Sequence, residues 1–384
     1  MTYFWLLVAT LLIELAMNLP IGSLPLVLEH DGAARSQIAM AMGVGMVTTV
    51  FVALPIGALV DRVGRILTMK LAVSGTFVTL TLLWLTHGAI SGGLLMGTRS
   101  ILMIAFMAAQ AAYISVFVPK ERSVSAVATV GIMGNLAFAT APAFAVWLWQ
   151  HGCGREQYLF ANGIMMLAAI SLFFLPKEEK INRPSHESEE RVIIRKEWLP
   201  AIMYSIGGTI QAGVNVSLAV LTFHDRGIVN GAALFTVSAL TTFVFRYHAG
   251  RAVEKYGPRI MAIPTAIAQA AGCLLAAHAT SMPMVAAAGI CFGFGWAAIV
   301  PVVLAIYFEE SPSHSRGAAM GSFHFAFGLG AALGAGLATV TSWLGTGYGG
   351  AMMIAAVMPL VGMLLVLTAR KPTIVAEEVV IAGD

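Results

Sequence analysis

With 384 residues, 58% of them hydrophobic and only 11% charged, and a mean hydropathy of +0.84, the chain lies far from the composition of water-soluble domains, which are about a quarter charged. It is expected to be an integral membrane protein. The net charge of +3 sits in short loops between apolar runs, not on one face, so nucleic acid is excluded as a partner and the basic residues read as topology signals.

A membrane helix needs about 20 mainly apolar residues, and twelve such runs follow one another at about 3–28, 37–60, 66–86, 92–117, 123–149, 157–175, 198–223, 230–249, 260–278, 283–308, 316–343 and 349–369. The first, "MTYFWLLVATLLIELAMNLP", has no basic leader or small-residue cleavage site and reads as a span, not a removable signal. Alternating the loops collects nearly all Lys and Arg on one side and leaves Arg35, Arg155 and Arg226 on the other. The expectation is a multi-pass protein of the cell membrane (inner or plasma membrane) with both termini cytoplasmic. Arg99 falls within a span, and Arg246 and His248 fall near the cytoplasmic end of span 8, where they can snorkel. Cys273 and Cys291 lie in apolar runs and Cys153 stands alone in a loop, so neither a disulfide framework nor a zinc site is expected. Residues 176–197 are polar with balanced charge and read as a cytoplasmic linker; their "HESEE" lacks the second histidine of a zinc-protease helix.

The segment "GALVDRVGRILTMK" at 57–70 nearly repeats as "GRAVEKYGPRIMA" at 250–262. A slide of 193 or 194 residues lays Gly57, Asp61, Arg62 and Gly64 on Gly250, Glu254, Lys255 and Gly257, Arg122 on Arg316, and Asp31 on Asp225. Two duplicated halves are the mark of secondary transporters with a site between the repeats. The predicted fold is therefore all-α, with twelve transmembrane helices in two six-helix bundles, 1–175 and 198–370, followed by a cytoplasmic tail at 371–384.

"GALVDRVGR" resembles the loop 2 to 3 signature of the major facilitator superfamily, and the resemblance extends over the whole chain. Arg99 resembles the arginine of the next signature, with Leu102 and Met103 where Gln and Gly usually follow. "AFATAPAFAV" keeps Pro142 of the span 5 motif of proton-driven exporters, with alanines at 137, 141 and 145. "ELAMNLPIGSLP" is similar to the first helix of drug and metabolite exporters. The resemblance implies that spans 1, 4, 7 and 10 line a central cavity. Helical spacing then offers Glu14 and Asn18; Arg99, Met103, Phe106, Gln110 and Tyr113; Tyr204, Gln211 and Asn215; Phe292, Trp296 and Tyr307. Apolar walls with a few amides suit a small-molecule pocket; packing between helices is the other reading of the aromatic residues.

Glu14 is the acidic residue that falls well inside a span, and a carboxylate there ordinarily handles protons or ions. Arg99 lies at similar depth and is its expected partner; a neutral, hydrogen-bonded structural Glu14 is the alternative. His324, in the middle of span 11, joins the proton path or packs. The resemblance implies a cytoplasmic gate in which Asp61 faces the start of span 11, Gly57 and Gly64 turn the chain, and Arg62, Arg65, Arg122, Glu254 and Arg316 supply ion pairs. The reading is a monomeric secondary active transporter: a proton-coupled antiporter for efflux of a small amphipathic drug or metabolite, with protons and a small-molecule substrate as partners and no cofactor or metal. A facilitator or importer of a sugar or other small metabolite is the alternative. An enzyme is not expected, since neither HExxH nor GxSxG occurs.

Overall fold

In a bilayer nothing but the chain itself can satisfy a free backbone amide or carbonyl, so long apolar runs become helices. The computed structural model describes residues 2–117, 120–176, 196–309 and 316–369; the side chains of 2, 53–55, 57–59, 61, 115–129, 196, 308, 309, 316–321 and 324 fall outside the description. The described elements are α1 (Thr2–His30), α2 (Arg35–Val63), α3 (Arg65–Leu85), α4 (Ala89–Phe117), α5 (Lys120–Gln150) and α6 (Gln157–Phe173). After a short 3-10 turn come α7 (Leu199–Asp225), α8 (Ala233–Tyr256), α9 (Pro258–His278), α10 (Met282–Glu309), α11 (Arg316–Trp343) and α12 (Gly347–Thr368). Each of the twelve spans expected from the sequence has its helix, and no strand occurs among the described residues. Ten are long and apolar enough to cross a membrane on length and composition alone. The other two are α6, only 17 residues long, and α8, which carries Arg246, Arg251, Glu254 and Lys255.

The duplication is visible in the backbone. Gly64 ends α2 at φ 94° and donates its N–H to the Val60 carbonyl at 2.9 Å; Gly257, 193 residues on, ends α8 at φ 85° and donates to Val253 at 2.9 Å. Glycine takes up this positive φ without strain. Gly57, expected to help turn the chain, lies instead inside α2, so the turn belongs to Gly64 alone. Likewise α8 runs to Tyr256, beyond its predicted end at 249, and places Arg246 ten residues inside the helix rather than at its end.

Packing repeats too. In the first half α1 packs on α5 and α6, α4 on α2 and α3, and α3 on α6; in the second, α7 packs on α11 and α12, α10 on α8 and α9, and α9 on α12. The halves meet along α2 with α11 and α5 with α8, a pair of seams that exchange under the same duplication. Because lipid tails are as apolar as leucine, close approach of small residues rather than hydrophobic burial holds such helices together. A Cβ on Gly22 would collide with the Pro142 carbonyl between α1 and α5, and one on Gly213 with the Ala331 carbonyl between α7 and α11.

We call the side on which α1 begins the near face, and the other the far face. On the far face Arg155 pairs with Asp31 and donates to the carbonyls of Leu83 and Thr86 at the end of α3. In the second half Arg226 does the same for the end of α9, donating to Ala279 at 2.7 Å and Ala277 at 2.9 Å. An arginine thus satisfies the orphan carbonyls of the equivalent helix C-terminus in each half. The far face also joins the halves. Arg35 pairs with Asp225, Asn230 donates to the Ala143 carbonyl at 3.0 Å, Thr236 donates to Ala139, and Phe138 meets Phe235 edge-on at 5.5 Å. Gly43 lies against the Ala335 methyl and, near mid-depth, Gly328 against Val50.

Candidate functional site

Thr10, Glu14 and Asn18 follow one another at four-residue spacing, which puts them on one face of α1. That face is buried, with Glu14 5% and Asn18 2% exposed. In the bilayer each polar group needs a partner, and α4 brings them. Gln110 donates to the Thr10 hydroxyl, which in turn donates to the Leu6 carbonyl at 2.7 Å. Asn18 donates through Nδ2 to the Glu14 carboxylate at 3.0 Å and to the Glu14 backbone carbonyl at 2.8 Å, while its Oδ1 accepts from the Arg99 guanidinium at 3.1 Å. Arg99, 6% exposed, also donates from Nε to the Met17 carbonyl and lies 3.8 Å from the Met103 sulfur.

The expected pairing of Glu14 with Arg99 is thereby modified. No direct ion pair joins them; Asn18 stands between, donating to the acid and accepting from the base. Side-chain reach, which spacing along two helices does not define, makes the difference. On its other side the Glu14 carboxyl carbon is 3.9 Å from where a Cβ of Gly134 would stand, so α5 leaves it room.

On α7 and α10 the second half supplies amides and no charge at the equivalent positions. The positions 193 residues beyond Glu14 and Arg99 are Gly207 and Phe292. On α7, Asn215 donates to Gln211 at 2.9 Å and accepts from Tyr348 of α12 at 2.8 Å. The helix then opens into a π-turn over Asn215–Ala219, a local widening that is frequent at functional sites. The Gln211 Nε2 and both amide atoms of Gln269 are buried with no hydrogen-bond partner among the described residues. Gln269, set between Gly208 of α7 and Gly295 of α10, was not singled out in the sequence; its signal was a lone amide inside the alanine-rich run "AIAQAAG".

The aromatic stripe divides. Phe106, Tyr113, Tyr204, Phe292 and Tyr307 are each no more than 2% exposed. They pack between helices: Tyr204 donates to the Ala262 carbonyl at 3.2 Å, Phe292 sits over Gly272, and Tyr307 meets Trp198 edge-on at 5.7 Å. In this state they offer no wall to a ligand. Met103 and Trp296 are partly buried, and Trp296 meets Phe327 at 5.7 Å. Of the expected gate, Arg62 is exposed, Arg65 is buried, and Glu254 is exposed in the last turns of α8. The side chains of Asp61, Arg122, Arg316 and His324, and the position of Gly57 beyond its helical backbone, lie outside the described residues.

Two six-helix halves with matching packing, the first holding a buried polar relay between α1 and α4, have the architecture of a multi-pass membrane transporter with a small-molecule substrate. The family model of the Major Facilitator Superfamily matches residues 6–232 and 201–380. The chain belongs to that superfamily. A triacylglyceride transporter of Mycolicibacterium hassiacum is 25% identical over 176 residues, a stretch covering 44% of this chain and 33% of that protein. The chain therefore matches only about a third of that relative's length. Among solved structures, a variant of the nucleoside transporter NupG superposes with a TM-score of 0.80 at 14% identity, covering 97% of this chain and 100% of that one. A bacterial homologue of the human lysosomal transporter Spinster gives 0.73 at 13% identity, covering 96% of each chain. The human organic anion transporter MFSD10 gives 0.64 at 16%, covering 95% and 98%. At these identities the structures speak for the fold.

Proposed function

We propose that this chain is a proton-coupled exporter of a small amphipathic drug or metabolite, working as a monomer by alternating access in the cell membrane. The near face, where α1 begins and α12 ends, is cytoplasmic by the distribution of Lys and Arg. Residues 1–175 and 198–370 act as two bundles that rock about the α2–α11 and α5–α8 seams. The cross-half contacts on the far face and at mid-depth, from Arg35–Asp225 to Gly328–Val50, support a state closed to the outside.

The observation that carries the reading is the buried Glu14–Asn18–Arg99 relay. A carboxyl group in mid-membrane is retained where protons or ions are handled. Asn18 lets the charge on Arg99 act on Glu14 through a shared hydrogen-bond network, so any motion of α4 against α1 changes the proton affinity of the carboxyl group. Differential affinity of this kind is what linkage between proton and substrate requires. The test is proteoliposomes with a trapped pH indicator under an imposed proton gradient, to which candidate amphiphiles are added. A substrate-dependent proton flux supports the reading. Substrate equilibration with no proton movement would mean a facilitator.

A further inference from the structure

Arg246 stands on α8 ten residues before Tyr256, about 15 Å along the helix axis from its near end at about 1.5 Å per residue. Arg251, five residues or about 7.5 Å further along, is the next Arg or Lys toward that end. Arg246 is exposed, and among the described residues it has neither a carboxylate nor a hydrogen-bond acceptor as partner. An unpartnered cation within an apolar stretch of a membrane helix, here flanked by Val244, Phe245 and Tyr247, ordinarily faces a cavity and marks a pathway.

The helix geometry says which way it faces. The side of α8 toward α10 is taken by Val237, Ser238 and Thr241 at Gly289 and Gly293, by Phe245 at 5.6 Å from Phe294, and by Thr242, which donates to the Gly293 carbonyl at 3.1 Å; Arg246, one turn beyond Thr242, stands at the edge of that side. Phe235, eleven residues before Arg246 and so about three turns away on the same line, meets Phe138 of α5. On α5, Gly131 lies two turns nearer the near face than Phe138, again on the same line. A Cβ at Gly131, or at Gly250 one turn beyond Arg246, would meet nothing within 4 Å. The two helices touch at Phe138 and Phe235, and toward the near face Gly131 and Gly250 have open space beside them among the described residues. Arg246 stands one turn from the space at Gly250, and Glu14 lies beside Gly134 on α5, one turn from the space at Gly131.

We infer that Arg246 binds the anionic group of the transported molecule, making the substrate an amphipathic organic anion with a carboxylate, sulfonate or phosphate head. A guanidinium offers such a head two parallel donors, and the first half's arginine is already engaged by Asn18 and Met17. This rests on the transport reading above and names its substrate class.

The full-length chain in phosphatidylcholine nanodiscs is titrated calorimetrically with three probes sharing one apolar body: 2-naphthalenesulfonate, 2-naphthylmethanol and 2-naphthylmethyl-trimethylammonium. The sulfonate should bind about tenfold or more tighter than the others. Arg246→Ala should remove that advantage while leaving the alcohol unchanged, and Arg246→Lys should keep part of it. Equal binding of the three, binding of none, or a sulfonate affinity that survives Arg246→Ala would overturn the assignment. In parallel, Arg246→Cys should react with a membrane-impermeant thiol reagent above the background of Cys153, Cys273 and Cys291, and the sulfonate should protect it. No added reaction would place position 246 against lipid and overturn it as well. No proton gradient is applied, so failure here leaves proton coupling at Glu14 standing, and loss of coupling leaves this binding result standing.

Discussion

Asn18 donates to the Glu14 carboxylate at 3.0 Å and accepts from Arg99 at 3.1 Å, so one amide couples the only acid and base of the buried first-half relay described above. Removing it separates two charges that the bilayer cannot solvate. Asn18→Ala and Glu14→Gln should therefore be strongly non-additive in substrate exchange at equal concentrations, with a coupling of about 1.5 to 3 kcal/mol, the range for a hydrogen bond to a charged group. Initial rates for the two single variants and the double variant give the cycle. Additive effects would mean that Asn18 acts independently of Glu14.

Arg35 and Asp225 join the two halves across the far face, with side chains 46% and 35% exposed. A pair this exposed is worth about 0.2 to 1 kcal/mol, enough to bias a conformational equilibrium but not to lock it. Asp225→Arg should shift the population toward a state open at the far face, and the double exchange with Arg35→Asp should restore it. Distances between spin labels on the 31–34 and 227–232 connections report the outcome; unchanged distributions in the single variant would remove the latch.

The amides of the second half should bind substrate. Gln211→Ala, Asn215→Ala and Trp296→Ala are expected to weaken binding by about tenfold each, with proton movement retained. Gln269→Leu discriminates further. A buried amide with no partner costs about 1 to 3 kcal/mol in this state, so the leucine should raise thermal stability while lowering transport. Higher stability with normal transport would show that Gln269 serves no other state.

Asp61→Asn should impair transport and leave insertion intact, since it removes a contact belonging to one of two states. Glu254→Gln, in the copy that departs further from the signature, should do less. Proteoliposome transport at matched protein content ranks them, and a larger defect at Glu254 would reverse the order of the halves.

How much of this was legible in the sequence follows from what each signal encodes. Apolar length and loop charge located all twelve helices, and the recurrence of glycine after 193 residues marked the turns at Gly64 and Gly257. The same motif misled at Gly57, because a glycine inside an apolar run is equally at home in a membrane helix. Glu14 stood out as an acid in lipid, but Asn18 between it and Arg99 depends on rotamers. The aromatic stripe was least legible: a membrane helix is apolar on its cavity, packing and lipid faces alike, so periodicity does not separate Tyr204 in a helix interface from Trp296 at a partly open surface. The end of α8 was placed seven residues short because a helix end inside a charged segment such as "RAVEKY" leaves no hydropathy step.

The central claim is that Glu14 carries the coupled proton. Glu14→Gln keeps the shape and a hydrogen-bonding group beside Asn18 but exchanges no proton. In proteoliposomes with an imposed proton gradient, the variant should bind substrate and exchange it across the membrane at equal concentrations, yet no longer accumulate it. If Glu14→Gln still concentrates substrate against its gradient at the expense of the proton gradient, the proton travels elsewhere and Glu14 is structural.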